Sequence, residues 1–144
     1  MDVARKLVIL ARELGLPLEL AAVEVESLVP AALAEVSTTE FLQRIDEADA
    51  AMQARHAAAA AKGEVLRYVA RLSADGRARV ALTALPGSHA FAHLALTDNV
   101  VAYRTARYHA NPLIVQGPGA GPDVTAAGVF ADLLRIAGSL GARV

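Results

Sequence analysis

Apolar residues first recur along the chain with helical spacing. Val3, Leu7, Leu10 and Leu14 line one side of a wheel whose other sides carry Arg5, Arg12 and Glu13, which predicts a helix over Asp2–Leu14. Gly15 and Pro17 stop it. The pattern then shortens to alternation. Leu18, Leu20, Val23 and Val25 stand against Glu19, Glu24 and Glu26, predicting a strand over Leu18–Leu28 with an irregularity at Ala21-Ala22 and an end at Val29-Pro30. Ser37-Thr38-Thr39-Glu40 is a capping box, a serine followed three positions later by glutamate. The helix it opens is predicted to reach Ala61, with Phe41, Ile45, Ala48, Met52 and Ala59 as its apolar stripe and Arg44, Asp46, Glu47 and Asp49 in water. Lys62 and Gly63 suit its end.

The plainest strand signal follows. Glu64–Leu72 and Arg77–Leu85 alternate on either side of Asp75-Gly76, a hairpin turn. Leu66, Tyr68, Ala70 and Leu72 share a face that Ala78, Val80 and Leu82 can oppose, while Arg67, Arg71, Arg77 and Arg79 take the other. Pro86-Gly87-Ser88 begins a loop, and Phe91–Leu96 is a short apolar piece of either type. Asp98-Asn99 is predicted as a turn, with strands over Val100–Tyr108 and Pro112–Gln116. Phe130, Leu133, Leu134 and Ile136 mark a last helix over about 122–141. The order α-β-α-β-β-(β)-β-β-α, with neither repeat nor linker, predicts one α+β unit: a mixed β-sheet with helices on one face.

Between the last strand and the last helix stands Val115-Gln116-Gly117-Pro118-Gly119-Ala120-Gly121-Pro122-Asp123. Strand, glycines, helix is an arrangement that brings bare backbone N–H groups close to a ligand or to another chain segment. It is not a dinucleotide-binding fingerprint, which needs G-x-G-x-x-G within a βαβ unit and an acid some 20 residues on. Here the glycines fall at 117, 119, 121 and 128, and no strand follows the helix. The segment reads either as one wall of a cofactor cleft built mainly by other protein or as a tight loop that lets a helix approach a sheet. Gly128 weakens the helix relative to alanine and marks a close backbone contact.

Composition narrows the classes. The chain has 144 residues, 55% of them hydrophobic, enough for one domain with a core. A net charge of −1 argues against nucleic acid as a partner, so the four arginines of the hairpin read as a solvated or subunit-facing sheet surface. No apolar run is long enough to span a membrane, and Asp2 among the first residues does not suit a signal peptide, which points to the cytoplasm. The absence of cysteine excludes disulfides, thiolate ligands and a thiol nucleophile, so the chain does not carry the centre of an acylating aldehyde dehydrogenase.

Asp2 and Lys6 share a helix face four residues apart, acid first, the favourable orientation for an ion pair. The pair is either a surface contact or a lysine placed to give and take a proton. Among His56, His89, His93 and His109, only His89 and His93 have ligand spacing, and no acidic third ligand stands near, so no metal site is expected. Tyr68, Tyr103 and Tyr108 lie on predicted strands and read as core or interface residues.

The two ends of the chain resemble one family. Asp2-Val3-Ala4-Arg5-Lys6 is similar to the D-V-A-R-K motif of homoserine dehydrogenases, Gly63–Val69 to a strand of the fused aspartate kinase–homoserine dehydrogenases, and Gly119–Leu134 to the family's C-terminal signature. The resemblance covers essentially residues 1–144, which would form the substrate-binding and dimerisation domain. It implies reduction of aspartate semialdehyde to homoserine with NADP or NAD as cofactor, a step towards threonine and methionine. It implies that Lys6 is the proton donor, that Asp2 helps build the substrate site, and that Gly121 with Gly119 approaches the nicotinamide cofactor. The implied partners are homoserine or aspartate semialdehyde, a second copy in a homodimer, and the nucleotide-binding domain of the same enzyme, against which the last helix would pack. That domain, the acidic segment that holds the substrate's amino group and the family's monovalent-cation site would all precede Asp2. The chain is accordingly expected to be part of a longer protein, and on its own neither to bind cofactor tightly nor to turn over. A homodimerising assembly module without catalysis and an unrelated small-molecule binder built on the glycine loop remain open beside this reading.

Overall fold

Ala4, Leu7, Val8 and Ala11 are all but inaccessible to solvent, and they fix the side of the first helix, α1 (Asp2–Glu13), that meets the rest of the protein. This face is rotated from the stripe that leucine spacing suggests. Leu14, the C-cap of α1, is 67% exposed. The computed structural model describes residues 1–95 and 97–142, which fall into two compact units, Met1–Ala92 and His93–Val144.

In the first unit α1 covers a three-stranded mixed sheet of β1 (Glu24–Val25), β2 (Glu64–Leu72) and β3 (Ala78–Pro86), in the order β1-β3-β2. β2 and β3 are the expected antiparallel hairpin, and β1 runs parallel to β3. Leu72 lies opposite Ala78, Ala70 opposite Val80 and Tyr68 opposite Leu82, so the face expected from alternation forms the floor of the core. At the turn Gly76 has φ 85°, and Asp75 Oδ1 accepts the Arg77 N–H at 3.2 Å. The strand expected over Leu18–Leu28 shrinks to two residues. Ala21-Ala22, the irregularity in the alternation, belong to a 3-10 turn, Leu20–Ala22, that turns the chain before it can pair.

The long helix expected from Ser37 to Ala61 is broken into α2 (Thr38–Gln43), a 3-10 turn (Ile45–Ala48) and α3 (Asp49–Ala60). Ser37 Oγ accepts the Glu40 N–H at 3.2 Å, the first half of the expected box. The break follows Arg44, whose guanidinium holds Glu40 and Glu47 at 2.7 Å each, and the acids at Asp46, Glu47 and Asp49 favour a second helix start. Ala58 and Ala59 of α3 line a crevice with Leu66, Leu82 and Ala84, the same sheet face that α1 covers. In this unit of an α+β chain, α1 and α3 thus lie on one face of a mixed sheet.

In the second unit β4 (Asp98–Tyr103) and β5 (Leu113–Pro118) form their own antiparallel pair, separate from the mixed sheet, and α4 (Pro122–Ser139) follows. Asp98-Asn99 is strand rather than turn, because Gly117 and Pro118 continue β5 and pair with both. β4 ends at Tyr103 rather than Tyr108, and the Tyr108 N–H turns back to Thr105 Oγ1 at 3.1 Å. The apolar piece Phe91–Leu96 begins as a 3-10 turn, Ala90–His93, not a strand; its last residue, Leu96, lies outside the described residues. None of the residues of α4 is buried.

Candidate functional site

Because Ala4, Leu7, Val8 and Ala11 are held in the core, the opposite side of α1 is fixed in orientation. That side carries Asp2 and Lys6. Lys6 Nζ lies 3.0 Å from Asp2 Oδ2, with the two side chains 60% and 75% exposed. The i, i+4 relation places the carboxylate one turn before the ammonium, where it restricts the lysine's four-carbon stem to one direction. An ammonium so held can donate a hydrogen bond to a carbonyl oxygen and then a proton to an alkoxide.

The other expected site residues belong to the second unit. β5 carries the chain through Gly117-Pro118, after which the Gly119 N–H donates to the Thr97 carbonyl at 3.0 Å. Gly121 has φ 120° and ψ 156°, a conformation essentially confined to glycine, and serves as N-cap of α4. Its carbonyl accepts both the Thr125 N–H, at 3.1 Å, and the Thr125 hydroxyl, at 2.9 Å. Residues 119–121 therefore offer backbone and a single methyl. Pro122 removes one N–H from the first turn, and Asp123 adds negative charge there, so the helix start is better matched to a neutral group than to a phosphate. The structure brings Lys6 together with Asp2, and Gly119 together with Gly121.

Of the histidines, His89 serves local structure. His89 Nδ1 accepts the Phe91 N–H at 3.1 Å, and its ring meets Phe91 edge to face at 4.8 Å, while His56 lies exposed on α3. Among the described residues no group of three or more His, Cys, Asp or Glu is placed to hold a metal. Of the hairpin arginines, Arg79 pairs with Glu24 at 3.2 Å and Arg77 with Asp75 at 2.7 Å. Arg67 instead turns its guanidinium onto the carbonyls of Leu66, Phe91 and Ala92, and so fastens the end of the first unit to its sheet.

Sequence reasoning missed Glu26. Its N–H donates to the Val80 carbonyl, its carbonyl accepts the Tyr68 hydroxyl, and its carboxylate accepts the Leu82 N–H and pairs with Arg55. The available signal was its place at the end of an alternating run. Asn99, a turn residue by its sequence pattern, lies in β4 instead.

No helix of the described residues is long and apolar enough to cross a membrane. Residues 1–134 match the profile of the family described as homoserine dehydrogenase. The chain is 51% identical, over 98% of its length, to the chloroplastic bifunctional aspartokinase/homoserine dehydrogenase 2 of Zea mays, and covers 16% of that protein. It is 48% identical to the bifunctional aspartokinase/homoserine dehydrogenase 2 of Escherichia coli K12, over 94% of the chain and 17% of the relative. With the homoserine dehydrogenase of Paracoccidioides brasiliensis it shares 45% identity over 94% of the chain and 37% of the relative. A crystal structure of a Candida auris protein of unknown function superposes with a TM-score of 0.85 at 44% identity, over 94% of this chain and 38% of that one. The chain thus spans about a sixth of the bifunctional relatives and just over a third of the shorter ones. An α+β chain with these end motifs and these relatives belongs to the homoserine dehydrogenase family of oxidoreductases.

Proposed function

We propose that this chain is the substrate-binding and dimerisation portion of an NAD(P)-dependent homoserine dehydrogenase, interconverting aspartate semialdehyde and homoserine on the way to threonine and methionine. The observation that carries this reading is the Lys6–Asp2 pair, held at 3.0 Å on the outward side of a helix whose other side is locked in the core. A reduced nicotinamide cofactor, when bound, supplies the hydride to the carbonyl carbon. As negative charge grows on the oxygen, the Lys6 ammonium stabilises it and delivers the proton, completing the alcohol; in the reverse direction the lysine amine takes the proton back. Asp2 keeps the lysine aimed and borders the substrate. The backbone at Gly119 and Gly121 meets the neutral, nicotinamide end of the cofactor.

The exposed apolar residues of α4 support a covering partner. Val129, Phe130, Leu133 and Ile136 are each about 60% exposed, which is unfavourable for an isolated helix. The nucleotide-binding domain of the same enzyme is the proposed cover, with a second copy of the chain at the sheet and the cytoplasm as compartment. The test is aspartate semialdehyde-dependent oxidation of NADPH or NADH by this chain together with its nucleotide-binding domain. Lys6→Ala lowers kcat by about 10²–10⁴-fold with little change in the KM for cofactor. An unchanged kcat would remove Lys6 from the mechanism, and turnover at an ordinary rate by the 144-residue chain alone would refute the assignment as a portion.

A further inference from the structure

Asn99 of β4 lies opposite Gly117 of β5, and the pairing runs one step beyond the strands through the bond of 3.0 Å from the Gly119 N–H to the Thr97 carbonyl. Residues 99 and 119 are therefore diagonal neighbours on one face of an antiparallel pair, within reach of an asparagine side chain. The Asn99 carboxamide occupies the space that a Cβ at position 119 would need, with Nδ2 and Cγ both in its way. A Cβ at 117, 121 or 128 would meet no atom within 4 Å. Two glycines of the loop are thus required for different reasons: Gly121 by its backbone angle and Gly119 by one side chain across the ladder.

We propose that Asn99 is a positioning residue for the cofactor loop. Its carboxamide, seated on Gly119, closes the side of the loop on which a Cβ would stand and holds residues 119–121 so that the nicotinamide end of the cofactor meets bare backbone. The proposal rests on the reading of Gly119 and Gly121 as cofactor contacts and names the residue that shapes them. A methyl group at 119 drives the carboxamide and the loop apart. Removing the carboxamide uncovers the loop. Making both changes lets the new methyl take the vacated space.

The test compares Gly119→Ala, Asn99→Ala and the double variant by two measurements. In the chain joined with its nucleotide-binding domain, Gly119→Ala raises the KM for cofactor by about tenfold with a smaller change in kcat. Asn99→Ala raises it less, and the double variant returns to within about threefold of the unaltered protein. In the 144-residue chain without cofactor, amide hydrogen exchange at position 119 quickens in Gly119→Ala and slows again in the double variant. A double variant no better than Gly119→Ala in both measurements overturns the role of Asn99 while leaving the loop at the cofactor. Exchange that follows the expected pattern, with a cofactor KM indifferent to all three variants, removes the loop from the cofactor site and the role of Asn99 with it.

Discussion

The Tyr68 hydroxyl donates to the main-chain carbonyl of Glu26 at 2.7 Å, joining the middle of β2 to the end of β1 across 42 residues of sequence. The Glu26 side chain makes the matching contacts on β3 and α3, so one residue ties four elements together. Its carboxylate accepts the Leu82 N–H at 3.1 Å and pairs with Arg55 at 2.9 Å.

Tyr68→Phe deletes one hydrogen bond and is expected to cost about 0.5–1.5 kcal/mol. Glu26→Gln keeps an acceptor for Leu82 but loses the charge facing Arg55, and Glu26→Ala leaves the Leu82 N–H without its partner, a loss of about 1–3 kcal/mol. Denaturant unfolding followed by circular dichroism should rank Glu26→Ala below Glu26→Gln. Equal stability of the two would show that the Leu82 N–H finds another acceptor.

The two units should respond differently to truncation of apolar side chains. Leu7 is 5% exposed and Val80 1%, in the roof and floor of one core, so Leu7→Ala is expected to cost about 2–5 kcal/mol. Leu133 is 58% exposed, so Leu133→Ala in the 144-residue chain should change stability by no more than about 0.5 kcal/mol. In the presence of the nucleotide-binding domain the same change at Leu133 should weaken association, measurable by titration calorimetry. A helix that loses nothing there is not covered by that domain.

Lys6→Ala separates chemistry from folding. The exposed pair with Asp2 contributes about 0.3–0.5 kcal/mol, so the melting temperature of the chain should hardly move while kcat of the complete enzyme collapses. A large fall in melting temperature would mean that the lysine is structural.

Gly121→Ala places a side chain at φ 120°. The expected cost is about 1–3 kcal/mol, concentrated at the start of α4 because the surrounding backbone leaves room for the methyl group itself. Faster amide exchange at Thr125 than elsewhere in the helix is the signature, since its N–H is bonded to the Gly121 carbonyl.

Acid should loosen the α2–α3 break before the core. A hydrogen bond from Arg44 holds the Glu47 carboxyl below the usual carboxylate range, and the Arg77 N–H together with its guanidinium does the same for Asp75. A carboxyl whose folded pKa is depressed adds stability that is fully present above its unfolded value and lost as pH falls through the folded one. Glu47→Gln should therefore lower the melting temperature at neutral pH, and the difference should vanish at pH well below the carboxylate range. A difference that persists in acid would assign the effect to packing.

Local pattern made much of this fold legible. Alternation around Asp75-Gly76 placed Tyr68, Ala70 and Leu72 opposite Leu82, Val80 and Ala78, because a strand's side chains alternate whatever lies beyond them. The capping serine at 37 and the last helix were equally local. The segments that depart from the pattern do so for two reasons, a distant strand in one case and a local turn in the other. Asp98-Asn99 became strand because Gly117 and Pro118 pair with them, and Leu18–Leu28 yielded only two strand residues because the chain turns at Ala21-Ala22.

The candidate site divides in the same way. The order of residues alone determined that Asp2 and Lys6 would meet, since one helical turn brings positions four apart together, and the end motifs carried the family. Tertiary structure decided which side of α1 is buried, that Glu26 would join four elements, and that Asn99 would lie over Gly119. Those contacts are set by where backbones come to rest after folding, and a backbone's resting place is fixed by packing and pairing between residues far apart in the chain, which no single stretch of sequence encodes.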